Sequence, residues 1–141
     1  NEIRVDAHPD QFCVLNSINK DIVNNSIEIL KYQKALSKAF KFTSFKLVLH
    51  VGSSAGGKKA SITRFINNFN KLDEDIKKMI ILENDDKVFN IIDVLELSEK
   101  LKIPMVLDYH HHICNNNNED IEKYLPRIFN TWKGQVDKVM L

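Results

Sequence analysis

Residues 103–112, Ile-Pro-Met-Val-Leu-Asp-Tyr-His-His-His, constrain the fold more than any other stretch. The apolar run 103–107 is short for a helix, its Val and Ile favour a strand, and Pro104 is tolerated among a strand's first residues. The run passes abruptly into Asp108 and three imidazoles. A buried strand emerging into a polar pocket accounts for both halves. Three other runs repeat the design: residues 2–5 lead into Asp6 and His8, 45–49 into His50, and 79–82 into Glu83, Asn84, Asp85 and Asp86. Each of these apolar runs ends in His, Asp or Glu, and we expect the fold to set the ends side by side.

Between the runs the hydrophobic spacing is helical. A helix is predicted over 21–40, with Val23, Ile27, Leu30, the stem of Lys34 and Phe40 near one stripe and Ile22, Ile29, Leu36 and Ala39 broadening it. A second carries Ile62, Phe65, Ile66, Phe69 and Leu72, and residues 73–78 add a turn or two. A third covers 89–101, where Asp85 and Asp86 serve either as caps or as ligands. After the polar loop 115–118, Asn118 is the expected N-cap of a helix through Ile121, Tyr124, Leu125, Ile128, Phe129 and Trp132, which Pro126 should kink or split. Residues 136–141 begin a fifth strand.

Such alternation argues for parallel strands joined by helical crossovers. An open doubly wound sheet concentrates function at one switch point, whereas a barrel draws it from the C-terminal ends of several strands. Every complete strand here carries a ligand-type residue at its exit. The expected fold is therefore α/β of the (β/α) TIM-barrel type, a partial barrel of about five parallel strands. No Gly-x-Gly-x-x-Gly follows a strand, which argues against a dinucleotide-binding fold.

Composition narrows the function. With 43% hydrophobic and 28% charged residues in 141, the chain is globular rather than disordered. Its formal net charge of +1 means that a nucleic-acid partner would be held by a local patch, not by an overall basic field. No apolar run is long enough for a membrane span, and no signal-peptide pattern opens the chain. Cys13 and Cys114 form no Cys-x-x-Cys and no disulfide framework; buried or half-buried thiols in a reducing cytoplasm are expected.

His8, His50, Glu83, Asp108 and one or more of His110, His111 and His112 would converge at the mouth of such a barrel. Imidazole with carboxylate suits Zn, Mn and Fe, whereas an all-oxygen set suits Mg or Ca. Several such groups can hold two or three ions, and a metal cluster on a phosphate stabilises both the attacking and the leaving oxygen of an in-line displacement. Alternate strand residues face opposite ways, so the three histidines cannot all face one pocket. Gly56-Gly57-Lys58-Lys59, just before a helix, offers backbone N–H groups and a lysine to a phosphate, or is a plain turn; P-loop spacing is absent. Gln11 and Phe12 beside His8 would either enter a base stack or, for Phe12, join the core.

His8-Pro9-Asp10-Gln11-Phe12 with Leu15-Asn16-Ser17, His50-Val51-Gly52 with Gly57-Lys58 and Arg64-Phe65, Leu82-Glu83-Asn84-Asp85-Asp86, and Asp108-Tyr109-His110-His111 together resemble the ultraviolet damage endonucleases. The resemblance runs through essentially the whole chain. It implies a barrel DNA repair enzyme that nicks the phosphodiester 5′ of UV photoproducts in double-stranded DNA, using divalent ions, manganese first and zinc or magnesium as alternatives. It also implies His8, His50, Glu83, Asp108 and His111 as metal ligands, with Glu83, Asp108 and His111 at the catalytic centre. The Asp-x-x-His spacing of Asp108 and His111 also resembles the endonuclease IV enzymes. Gln11 and Phe12 match the pair that probes the damaged duplex, and Lys58 matches a lysine expected to contact phosphate. The implied barrel has eight strands. Residues 1–141 are thus expected to be one segment of a longer barrel domain, whose activity alone is open and whose exposed sheet edges invite a homodimer. The rival readings are another metal-dependent barrel enzyme (an abasic-site endonuclease or a sugar isomerase) and a non-catalytic DNA-binding fragment.

Overall fold

The computed structural model describes residues 5–10 and 12–133. Residues 2–4 of the expected first strand, Gln11, and the fifth strand expected over 136–141 lie outside the described residues. The order is β1 (Val5–Ala7), α1 (Lys20–Ala39), β2 (Phe45–His50), α2 (Lys58–Asn70), α3 (Glu74–Lys77), β3 (Ile80–Glu83), α4 (Ile91–Leu101), β4 (Met105–Val106), α5 (Tyr109–Cys114), a 3-10 turn (Ile121–Lys123) and α6 (Leu125–Asn130). The chain divides into two compact units at the Ile80–Ile81 bond, inside β3.

In the first unit β1 pairs in parallel with β2, Val5 opposite Phe45 and Ala7 opposite Leu47. The Leu47 N–H donates to the Met79 carbonyl at 2.7 Å, so the chain entering β3 runs beside β2. Buried Lys46 stretches its ammonium to the Lys78 carbonyl. α1 starts where Asn19 accepts the Asp21 N–H, a cap that satisfies one of the helix's orphan donors. Its buried face is Val23, Ser26, Leu30 and Ser37. The stripe expected from apolar spacing differs at both ends: Ile22 is 41% and Phe40 67% exposed. The helix stops at Ala39, Lys41 turns the chain through φ 56°, and Phe40 stacks on Phe42 instead of entering the core. Two serines replace aliphatic residues on the inner face. Ser26 accepts the Val14 N–H at 2.8 Å and donates to the Ile22 carbonyl, tying the loop after β1 to the helix.

In the second unit β3 pairs in parallel with β4, Leu82 opposite Met105 and Glu83 opposite Val106. All four residues of β3 are buried, as fits a parallel strand covered on both faces. α4 opens on a capping box in which Asn90 accepts the Asp93 N–H and Asp93 accepts the Asn90 N–H. The spacing over 121–132 does not make one helix: a 3-10 turn precedes α6, and Pro126 falls in the first turn of α6, where its missing N–H costs nothing. Asn118 is not the N-cap. It takes φ 63°, a conformation asparagine tolerates, and Asp120 caps the turn. At the side of β4 away from β3, the Met105 N–H donates to Thr131 Oγ1 and the Met105 carbonyl accepts from Trp132 Nε1. Side chains thus occupy the edge position that a second copy would need there.

The parallel pairing and helical crossovers are those of an α/β fold. Four strands are found among the described residues.

Candidate metal centre

In the first unit His8 and His50 follow or end the adjacent strands β1 and β2, and their rings lie 5.4 Å apart, tilted by 41°. His8 is exposed and His50 half-buried. The loop behind them is braced by Asn16, which is fully buried. Its Oδ1 accepts the Ser53 N–H at 2.8 Å and its Nδ2 donates to the Ser53 carbonyl at 2.7 Å. This amide pair sits where Gly52 adopts φ +104°; a Cβ there would lie 2.7 Å from Asn16 Oδ1 and from Val14 Cγ1. Arg64 completes the brace, donating from Nε to the Asn16 carbonyl and from Nη2 to the Ala55 carbonyl and Ser61 Oγ.

In the second unit Glu83 ends β3 and Asp108 follows β4. Glu83, Asp108 and His111 each present a ligand atom, and the three atoms lie within 4.8 Å of one another. The sequence reading of 108–112 as a strand exit fails after Asp108, because Asp108 caps a helix, α5. Its Oδ1 accepts the His111 N–H at 2.8 Å, and Oδ2 lies 3.6 Å from His111 Nδ1. An N-cap and the residue three positions on are neighbours in space, which is the physical content of the Asp-x-x-His spacing. His111 Nδ1 lies 2.9 Å from the Asn84 carbonyl. A carbonyl only accepts, so Nδ1 carries the proton and Nε2 the lone pair that a metal would need.

Asn84, to which the sequence reading gave no role, positions two of the candidate ligands. It is fully buried, donates from Nδ2 to the Asp108 carbonyl and accepts the Asp108 N–H, both at 2.9 Å. One side chain therefore fixes Asp108, while its own carbonyl orients His111. The available signal was a buried-type amide directly after a strand's terminal acid.

The other candidates separate. His110 is exposed, and His112 is buried, with Nδ1 lacking a hydrogen-bond partner among the described residues. Asp85 does not cap α4, whose cap is Asn90; it accepts the N–H groups of Lys87, Val88 and Phe89 and so shapes the turn ahead of the helix. Phe12 is no core residue: it is 70% exposed, at the tip of a turn in which Asp10 Oδ1 accepts its N–H. Lys58 and Lys59, expected just before a helix, are instead the first two residues of α2, which follows Gly56 and Gly57, both at positive φ. Cys13 is buried, and loss of solvation pushes its thiol up to about 11, against a smaller lowering by the Ser26 side chain. Cys114 is exposed, not buried or half-buried. No described helix is long and apolar enough to cross a membrane.

The model of the UV-endonuclease UvdE family matches residues 1–140. The chain is 41% identical over 133 residues to the UV DNA damage endonuclease of Halalkalibacterium halodurans and 40% identical over 131 residues to that of Bacillus mycoides, matches that cover 94% and 92% of this chain. The chain spans 41% of the length of either relative. The crystal structure of SacUVDE is similar with a TM-score of 0.88 and 44% identity, over 93% of this chain and 45% of that one. These names do not favour a sugar isomerase. Motifs, fold and near-complete match together place the chain in the UV-endonuclease UvdE family.

Proposed function

We propose that residues 1–141 form one segment of a TIM-barrel DNA repair endonuclease of the cytoplasm, which nicks the phosphodiester on the 5′ side of UV photoproducts. The metal ligands in this reading are His8, His50, Glu83, Asp108 and His111, with manganese the first candidate. Imidazoles and carboxylates are the donor set that manganese and zinc accept. The observation that carries the reading is the cluster of Glu83, Asp108 and His111, with His111 held by the Asn84 carbonyl in the tautomer that presents Nε2. Divalent ions held by these residues would supply Lewis acidity toward a phosphate. The chain's own residues do the rest: Asp108 and Asn84 preorganise the donors, and Phe12, on its exposed turn, stacks against a base, with Gln11 as its polar partner. Lys58 at the start of α2 contacts a phosphate.

Two assays test this. Elemental analysis and calorimetry of the purified chain should detect manganese or zinc binding that Glu83→Gln removes. Nicking of UV-irradiated but not undamaged duplex, dependent on manganese, would establish the activity; cleavage of abasic DNA alone would refute it. Light scattering tests the homodimer expected from exposed sheet edges, of which the one beside Met105 is already taken by Thr131 and Trp132, and a strictly monomeric chain at high concentration removes it.

A further inference from the structure

The first unit holds a cavity of about 460 Å³ between α1 and α2, lined among the described residues by no carboxylate. That volume falls in the range of small-molecule sites, roughly 300–1,000 Å³. Lys20 and Asn24 line it from α1, and Asn67 and Lys71 from α2 and its C-cap. All four are exposed, and among the described residues none of their side chains is engaged in a hydrogen bond or an ion pair. Arg64 forms an inner wall, its guanidinium fixed by the bonds to Asn16, Ala55 and Ser61 while its charge remains. Val23 and Ile27 give the cavity an apolar side.

Three cations and two unengaged amides with no acid among them suit a multivalent oxyanion, and the apolar side suits a flat organic body attached to it. A phosphate uses this set better than a carboxylate does, because it brings more charge and more acceptor oxygens. We propose that the groove between α1 and α2 binds the phosphate of a nucleotide, either free or within a nucleic-acid backbone. The site shares no residue with the candidate metal ligands.

The test is a titration of the isotope-labelled full chain, in EDTA, with inorganic phosphate, adenosine monophosphate and an undamaged duplex oligonucleotide. Amide resonances around 20–24 and 67–71 should move. A Lys20→Gln/Lys71→Gln double variant with unchanged circular dichroism should weaken binding at least tenfold; if it misfolds, Lys71→Gln alone is used, expecting about threefold. Tighter binding of the monophosphate than of the duplex, per phosphate, identifies a free nucleotide. The reverse identifies a backbone contact, and the double variant should then lower the salt dependence by about two counterions. Silence from all three probes, or shifts that the variants leave unchanged, would overturn the proposal. With EDTA present, that failure leaves the metal-centre reading untouched.

Discussion

Both units use the same device at the exits of adjacent parallel strands, and they use it for different ends. In each, a fully buried asparagine behaves like a short piece of strand, giving one donor and one acceptor to a single residue's backbone across the gap. In the first unit the recipient is Ser53, in the loop after His50, so Asn16 braces a loop. In the second it is Asp108 itself, and the Asn84 carbonyl also holds His111. The lesson is one of distance from the chemistry. Asn16 stabilises the surroundings of candidate ligands, whereas Asn84 sets the atoms that would bind.

The comparison can be broken most directly at Asp108. Asp108→Asn keeps a good N-cap for α5 and removes the carboxylate charge, so metal affinity should fall about 100-fold in calorimetry with circular dichroism unchanged. Equal loss of helix signal would mean that Asp108 is only a cap. The next contrast is between the asparagines. Asn84→Leu and Asn16→Leu each leave a buried N–H and C=O unsatisfied and should each lower unfolding stability by about 3 kcal/mol in urea titrations. Metal affinity should drop a further 10- to 100-fold only for Asn84→Leu. A comparable drop for Asn16→Leu would erase the distinction.

Smaller effects sharpen the picture of the first unit. Gly52→Ala combines a left-handed φ with a Cβ pressed against Asn16 and Val14, and about 2–3 kcal/mol should be lost. The lost stability should not add fully to Asn16→Leu, since both act on one contact. The smallest effect is on pH. The folded state keeps the Cys13 proton up to about 11, whereas an unfolded thiol loses it near its ordinary value of 9.0. Between those values the native state binds more protons, so stability falls as pH rises through this window and is unaffected below it. Comparing urea midpoints of the wild type and Cys13→Ala from pH 8 to 11 isolates that slope from the lysines.

Much of the site was legible because strand exits are local. A run of β-branched and aliphatic residues that ends in His50 or Glu83 states both where the strand stops and what it delivers. The Pro126 break is local in the same way. What went unread depended on partners distant in sequence. Asn16 and Asn84 look like loop residues until the backbone that they complement is brought opposite. Phe40 has the spacing of a core residue, but the helix ends before it. The histidines after Asp108 read as a strand because a single acid can end one element and begin the next, and only the Asp108-to-His111 hydrogen bond decides which.

By itself, the order of apolar runs and polar exits determined an α/β chain with parallel strands and with imidazoles and acids at strand ends. Those features follow from side-chain chemistry and from periodicity along the chain. Tertiary structure alone decided that Asp108 caps a helix, that His111 keeps its proton on Nδ1, that Phe12 faces solvent, and that an acid-free groove runs between α1 and α2. Each depends on which groups, far apart in sequence, exchange hydrogen bonds or exclude water from one another.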